Sequence, residues 1–105
     1  MGVELTLYVM DERTTPWGVV SSRKLCRNYA DFDILQKDMV EVPSEAIPTD
    51  HPDLGDGEDG YGALTYILAG ALPVEVLPGS PLNAGYVGQL RERLRPSQPI
   101  ILWGS

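Results

Sequence analysis

The side chains with the greatest capacity for chemistry lie in one glycine-rich loop, residues 49–60. It carries five acids, Asp50, Asp53, Asp56, Glu58 and Asp59. A calcium loop of the EF-hand type needs oxygen ligands at alternate positions, so that several of them converge on one ion. The first three acids here are spaced by three residues instead. The sequence therefore predicts no metal site and no cofactor in this loop.

One histidine, His51, and one cysteine, Cys26, form the single possible thiol–imidazole pair in the sequence. Such a pair needs hydrogen-bond contact and a third group that orients the base. His51 precedes Pro52 and is typical of an exposed turn, whereas Cys26 is typical of a small buried hydrophobe. We predict no catalytic residues. The alternative is a small enzyme, or a ligand- or metal-binding protein, that uses His51 and the nearby carboxylates.

Trp17 and Arg13 lie at the tip of a predicted hairpin. Trp and Arg side chains dominate the energetics of many protein interfaces. We therefore expect these two residues to contact a partner, together with the five acids of the loop. The alternative for Trp17 is that it packs down as a lid on the edge of a sheet.

The formal charge of −7 is unevenly distributed along the chain. Ten acids and one base, Lys37, lie between Asp31 and Asp59, which gives this segment −9 and leaves +2 for the rest. Such asymmetry favours encounter with a basic partner. It disfavours direct binding to nucleic acid, because phosphate contacts need a positive field. The alternative is that the acids only keep the protein in solution.

The predicted elements begin with a hairpin. Val3, Leu5, Leu7 and Val9 alternate with polar residues, which is the pattern of a strand with one buried face. Residues 18–23 form a second extended segment. Asn28 is a plausible N-cap for a helix that runs to about Met39.

The second half of the chain predicts a strand, a helix and a final strand. Residues 63–68 and 99–103 are apolar and extended, and residues 69–78 suggest a short helical turn. Ser80 followed by Pro81 marks the start of a helix that ends near Arg95. Gly85 and Gly88 weaken it by ~1 kcal/mol each and permit close packing on a sheet.

These elements predict an α+β domain of order β-β-α-loop-β-α-β, with a mainly antiparallel sheet and both helices on one face. The length of 105 residues fits one domain, residues 1–105. No apolar segment is long enough to span a bilayer and no leader opens the chain, so we expect a cytoplasmic protein without a membrane partner. Both a monomer and a homodimer are compatible with the sequence.

Three short motifs resemble small phage and prophage accessory proteins of Gram-negative bacteria. They are Tyr8-Val9-x-Asp11, Arg27-Asn28-Tyr29-x-x-Phe32, and the acidic loop that leads into Leu64-Thr65-Tyr66. The resemblance covers about two thirds of the chain and brings no catalytic residue with it. It implies a protein that binds a host protein and redirects it.

The charge pattern and the resemblance together predict a non-catalytic acidic binding protein. We expect a phage-encoded inhibitor or modulator of a host protein, of the anti-defence or anti-CRISPR kind. It would dock on a basic host surface, including one that binds nucleic acid. An immunity-type protein that blocks a toxin is the alternative within the same broad class.

Overall fold

The computed structural model describes residues 4–73 and 77–105. Its strands and helices, in chain order, are β1 (Leu5–Asp11), β2 (Gly18–Lys24), α1 (Tyr29–Gln36), β3 (Val40–Glu41), β4 (Glu58–Asp59), β5 (Gly62–Ala63), β6 (Thr65–Leu68), α2 (Pro81–Arg93) and β7 (Pro99–Gly104). Five strands form an antiparallel sheet in the order β2-β1-β7-β6-β3, and β4 pairs with β5 as a separate hairpin. The predicted α+β class with a mainly antiparallel sheet is confirmed.

Both helices pack on the same face of the sheet, as the sequence predicts. Leu5, Leu7 and Val9 of β1 alternate on this face and are at most 1% exposed. The helical side chains that pack with them in one cluster are Phe32, Leu35, Val87 and Leu90. This face therefore holds the main core, and it fixes both helices relative to the central strands.

The opposite face of the sheet is also buried, which corrects the prediction of one buried face on β1. Tyr8 and Met10 of β1 and Ile101 of β7 lie under a segment that crosses the sheet between β3 and β6. Leu54 and Ala46 of that segment are at most 3% exposed. The sequence pattern does not predict this second buried face, because the segment that covers it has only a few apolar residues and they are widely spaced.

The two helices are joined by a buried carboxylate. Asp31 of α1 is fully buried and accepts hydrogen bonds from the amides of Gly79 (2.8 Å) and Ser80 (2.9 Å) and from Nδ2 of Asn83 (3.1 Å). Burial acts to raise the pKa of Asp31, but the three hydrogen bonds outweigh it and lower the pKa below its ordinary value. Asp31 thus caps the start of α2 from a neighbouring helix.

The predicted caps are present, and some predicted limits differ. The side chains of Asn28 and Ser80 cap α1 and α2, but α1 ends three residues before Met39 and α2 ends two before Arg95. The predicted start at Val3 lies outside the described residues. So does part of the expected turn over 69–78, of which Ala69–Ala71 is a 3-10 turn.

The glycines of α2 do not pack closely on the sheet, contrary to the expectation from their spacing. A Cβ atom added at Gly85 or at Gly88 would meet no atom within 4 Å. Neither helix in the described part of the chain has the length and apolar character that a bilayer crossing requires.

Candidate protein-binding surface

The acidic loop, residues 49–60, is folded as a series of turns on the face of the sheet opposite the helices, which we call the second face. Its one leucine, Leu54, is fully buried against that face. The amide of Gly55 donates to the carbonyl of His51 (2.9 Å), and the amide of Gly57 donates to the carbonyl of Leu54 (3.0 Å). The loop therefore presents its side chains from a defined backbone.

Two glycines are needed for this conformation. Gly57 has φ of +73°, in the left-handed region that glycine adopts at least cost. A Cβ atom at Gly55 would lie 2.6 Å from the carbonyl oxygen of His51 and 2.7 Å from that of Thr49, so only glycine fits between these two backbone groups.

His51 supports the loop from inside. Its Nδ1 accepts hydrogen bonds from the amides of Asp53 (3.1 Å) and Leu54 (3.2 Å). Its ring packs edge-on against the ring of Tyr8, with 5.2 Å between the two ring centres. His51 is half-buried, which corrects the prediction of an exposed turn residue. No sequence motif marks this role, although both contacts are local, two and three residues further along the chain.

Two of the five predicted loop acids have structural partners. The carboxylate of Asp53 accepts from the hydroxyl of Tyr8 (2.9 Å), and its carbonyl accepts from Nε1 of Trp103 (3.0 Å). Burial, the hydrogen bond to Asp53 and the charge of that carboxylate raise the pKa of Tyr8 to about 12. Asp59 accepts from the amides of Tyr61 (2.8 Å) and Gly104 (2.9 Å).

The other three loop acids, Asp50, Asp56 and Glu58, are exposed. None of their carboxylates hydrogen-bonds to a residue in the described part of the chain. These three are the loop acids whose side chains are available to a partner without loss of an internal contact.

Four of the eight Lys and Arg side chains form ion pairs with described residues, and none of these pairs includes an acid of the 31–59 segment. Within residues 4–73 and 77–105, every ion pair uses an acid from outside the 31–59 segment: Arg13 with Asp11, Lys24 and Arg27 with Glu4, and Arg95 with Asp11 and Glu12. The negative charge of the 31–59 segment is therefore not neutralised by a side chain of the described chain. Its field extends into solvent over the Debye length, about 8 Å at physiological salt.

Trp17 and Arg13 have internal contacts. Trp17 is half-buried; its ring packs edge-on against Tyr66 at 5.2 Å and its amide donates to the carbonyl of Ala46 (2.9 Å). It thus packs down on the sheet, as in the alternative to partner contact, but against the cluster on the second face rather than on the edge of the sheet. Arg13 is exposed and binds both carboxylate oxygens of Asp11 at 3.0 Å, and this contact lowers the pKa of Asp11 to about 2.

Cys26 and His51 lie on opposite faces of the sheet. The amide and carbonyl of Cys26 are both bound at 2.8 Å by the side chain of Asn83, on the helix side. His51 packs on the other side, against Tyr8. Cys26 is exposed, which corrects the prediction of a buried cysteine. In residues 4–73 and 77–105, no three His, Cys, Asp or Glu side chains converge as a metal site requires.

The chain was also compared with known proteins. No protein-family model, no curated protein and no solved structure matches it.

Proposed function

We propose that this protein is a non-catalytic binding protein that docks on the basic surface of a partner through its acidic loop. The observation that carries the proposal is the combination of order and charge. Leu54 and His51 hold the loop on the sheet, while Asp50, Asp56 and Glu58 extend from it without internal partners. A surface that is ordered before binding loses less conformational entropy when the complex forms.

The unbalanced field suits this role. Opposite charges on two surfaces accelerate and orient their encounter, and they exclude partners of the same charge. An acidic protein that covers a basic surface competes there with the phosphates of a nucleic acid. Binding of this kind requires no chemistry from the inhibitor.

The nature of the partner follows from the resemblance to phage and prophage accessory proteins. On that basis we propose a phage-encoded inhibitor or modulator of a host protein, acting in the cytoplasm of the host, with anti-defence or anti-CRISPR activity as the class to test first. The target surface is then a basic one that handles nucleic acid. Asp50, Asp56 and Glu58 are its proposed contacts, with Trp17 and Arg13 at the margin.

The first prediction concerns the loop acids. The triple variant Asp50→Asn, Asp56→Asn, Glu58→Gln removes three negative charges without touching the hydrogen bonds that hold the loop. Protein captured from bacterial lysate is compared by mass spectrometry at about 0.05 M and about 0.5 M salt. We expect one basic protein to be captured by the wild type at low salt and to be lost with the triple variant.

A charge-matched control comes from exposed acids outside the loop. The variant Asp33→Asn, Asp38→Asn, Glu92→Gln has the same net charge as the loop variant, and all three positions are exposed. It should capture the basic protein as well as the wild type does. If both variants lose the basic protein equally, net charge rather than the loop explains the capture. If the loop variant still captures it, the proposal is refuted.

A further inference from the structure

The outer edge of β2 has free backbone groups. β2 is the terminal strand of the five-stranded sheet, and β1 pairs with one side of it only. The amide of Leu25 donates to the carbonyl of Leu5 at 2.8 Å, which fixes the alternation along the strand. The backbone groups of Arg23 therefore face β1, and those of Ser22 and Lys24 face outwards. In residues 4–73 and 77–105, no loop or turn hydrogen-bonds to these outward groups.

This edge is longer and more accessible than the opposite one. β2 has seven residues and no proline, and all of its residues after the first are exposed. β3, at the other edge, has two residues. A bulge shifts the β1–β2 register and leaves Val20 without a cross-strand partner, with 57% of its surface exposed. Long uncovered edges are where an additional strand can pair.

A groove runs beside this edge on the helix side. It has a volume of about 180 Å³ and is lined by Arg23 and Lys24 of β2 and by Leu82 and Tyr86 of α2. Leu82 is 72% exposed, the highest value among the large hydrophobic residues described. The guanidinium of Arg23 lies 4.9 Å from the centre of the Tyr86 ring. The groove thus offers apolar and cationic surface next to free backbone groups.

The charge around this edge is positive. Three cations lie here, Arg23, Lys24 and Arg27. Two of them form ion pairs with one acid: the carboxylate of Glu4 lies 3.1 Å from Nζ of Lys24 and 3.5 Å from Nη2 of Arg27. Arg23 forms no ion pair with any described residue. Arg23 lies on the helix side of the sheet, opposite the face that the acidic loop covers, on a protein whose net charge is −7.

We propose that β2 is a docking edge for an extended acidic segment of a partner protein. The segment pairs antiparallel or parallel with the outward backbone groups of Ser22 and Lys24, its acidic side chains lie near Arg23, and one apolar side chain enters the groove beside Leu82. Strand addition of this kind takes its affinity from main-chain hydrogen bonds and its selectivity from pockets for alternate side chains.

A second copy of this chain fits the edge less well. Edge-to-edge pairing brings two positive edges into one sheet and joins two chains that each carry −7. Charge complementarity therefore favours the acidic segment.

The second prediction tests this edge with defined peptides. Capped eight-residue peptides of alternating Glu and Val, or of alternating Lys and Val, are titrated to about 1 mM into the isotope-labelled protein. We expect the Glu-Val peptide to shift the amide resonances of Ser22 and Lys24 and to bind at least about tenfold more tightly than the Lys-Val peptide. A Glu-Val peptide with all of its backbone amides methylated should not bind, because neither of its edges can then donate to β2.

Two variants separate the backbone from the side chain. Ser22→Pro removes one outward donor and leaves the bonds to β1, so it should abolish binding; Ser22→Ala should retain it. Arg23→Gln should weaken binding of the Glu-Val peptide about tenfold. If the proline variant fails to fold, this variant tests the proposal in its place. Absence of shifts at the β2 amides, equal binding of the Lys-Val peptide, or a dimer in sedimentation that Ser22→Pro dissociates would each overturn the proposal.

Discussion

His51 connects the order of the acidic loop to a single nitrogen atom. Nδ1 accepts from two successive amides, one of which belongs to the buried Leu54. This places the ring proton on Nε2 in the neutral imidazole. A ring protonated at Nδ1 is a donor there and cannot accept these bonds. The conformation of the loop is therefore supported by an acceptor nitrogen of a side chain within the loop.

The third prediction follows from this contact. His51→Ala leaves the amides of Asp53 and Leu54 without their acceptor and should reduce the free energy of unfolding by about 1–2 kcal/mol in urea titrations. Hydrogen exchange at Leu54 should accelerate. His51→Asn supplies a side-chain oxygen near the position of Nδ1 and should recover part of the loss. If His51→Ala exchanges and unfolds as the wild type does, the imidazole does not support the loop.

Among the elements, α2 contains two glycines that lower its stability without a structural reason. Gly85 and Gly88 lie inside the helix, at neither position does a Cβ atom meet a neighbour, and neither has positive φ. Glycine inside a helix costs about 1 kcal/mol relative to alanine because the unfolded chain gains conformational freedom. Nothing in the described fold requires glycine at these two positions.

The fourth prediction is that these glycines are replaceable. Gly85→Ala and Gly88→Ala should each raise the free energy of unfolding by about 1 kcal/mol. Gly79→Ala is the contrasting variant and should destabilise the protein, because its Cβ atom would overlap the side chain of Asn28. Thermal unfolding of the three variants measures these effects. Destabilisation by Gly85→Ala or Gly88→Ala would contradict the assignment of open space.

The elements also show how far the sequence alone determines this fold. The alternation of Leu5, Leu7 and Val9 predicts β1, and Ser80 predicts the start of α2, because period and capping are local signals. β3, β4 and β5 have two residues each, and two residues carry no periodicity. These short strands are defined by their partners and could not be predicted.

The candidate site was predicted in composition but not in geometry. The five acids were identifiable by their charge. The division between Asp50, which is free, and Asp53, which binds Tyr8, depends on a contact between residues 45 apart in the chain. The one local signal for the position of the loop is Leu54, a single apolar residue among polar ones, which marks where the loop packs on the sheet.

For the whole molecule, three carboxylates link stability to pH. Hydrogen bonds and ion pairs with Arg13 and Arg95 lower the pKa values of Asp11 and Glu12 to about 2, and hydrogen bonds from the start of α2 lower that of Asp31 despite its burial. Each group is more acidic in the folded protein than in the unfolded chain. The stability that they contribute is complete above about pH 4.5 and is lost as the pH falls towards 2.

The fifth prediction is a decline of the free energy of unfolding below about pH 4.5, measured by urea titration at successive pH values. Asp11 and Glu12 are partly exposed and contribute little each, so Asp31 should dominate. Asp31→Asn should lower the free energy of unfolding by about 2–3 kcal/mol at pH 7, and its stability should decline less than that of the wild type as the pH falls below about 4.5. A wild-type stability that stays constant down to pH 2 would contradict this linkage.

The position of β7 has a consequence for synthesis. β7 is the last strand in the chain, yet it lies at the centre of the sheet, between β1 and β6. Until residues 99–104 leave the ribosome, the inner edge of β1 has no strand to pair with, and β6 has no partner on its β7 side. The sheet is therefore completed only after these residues have emerged, and the strands synthesised earlier stay open to chaperones until then.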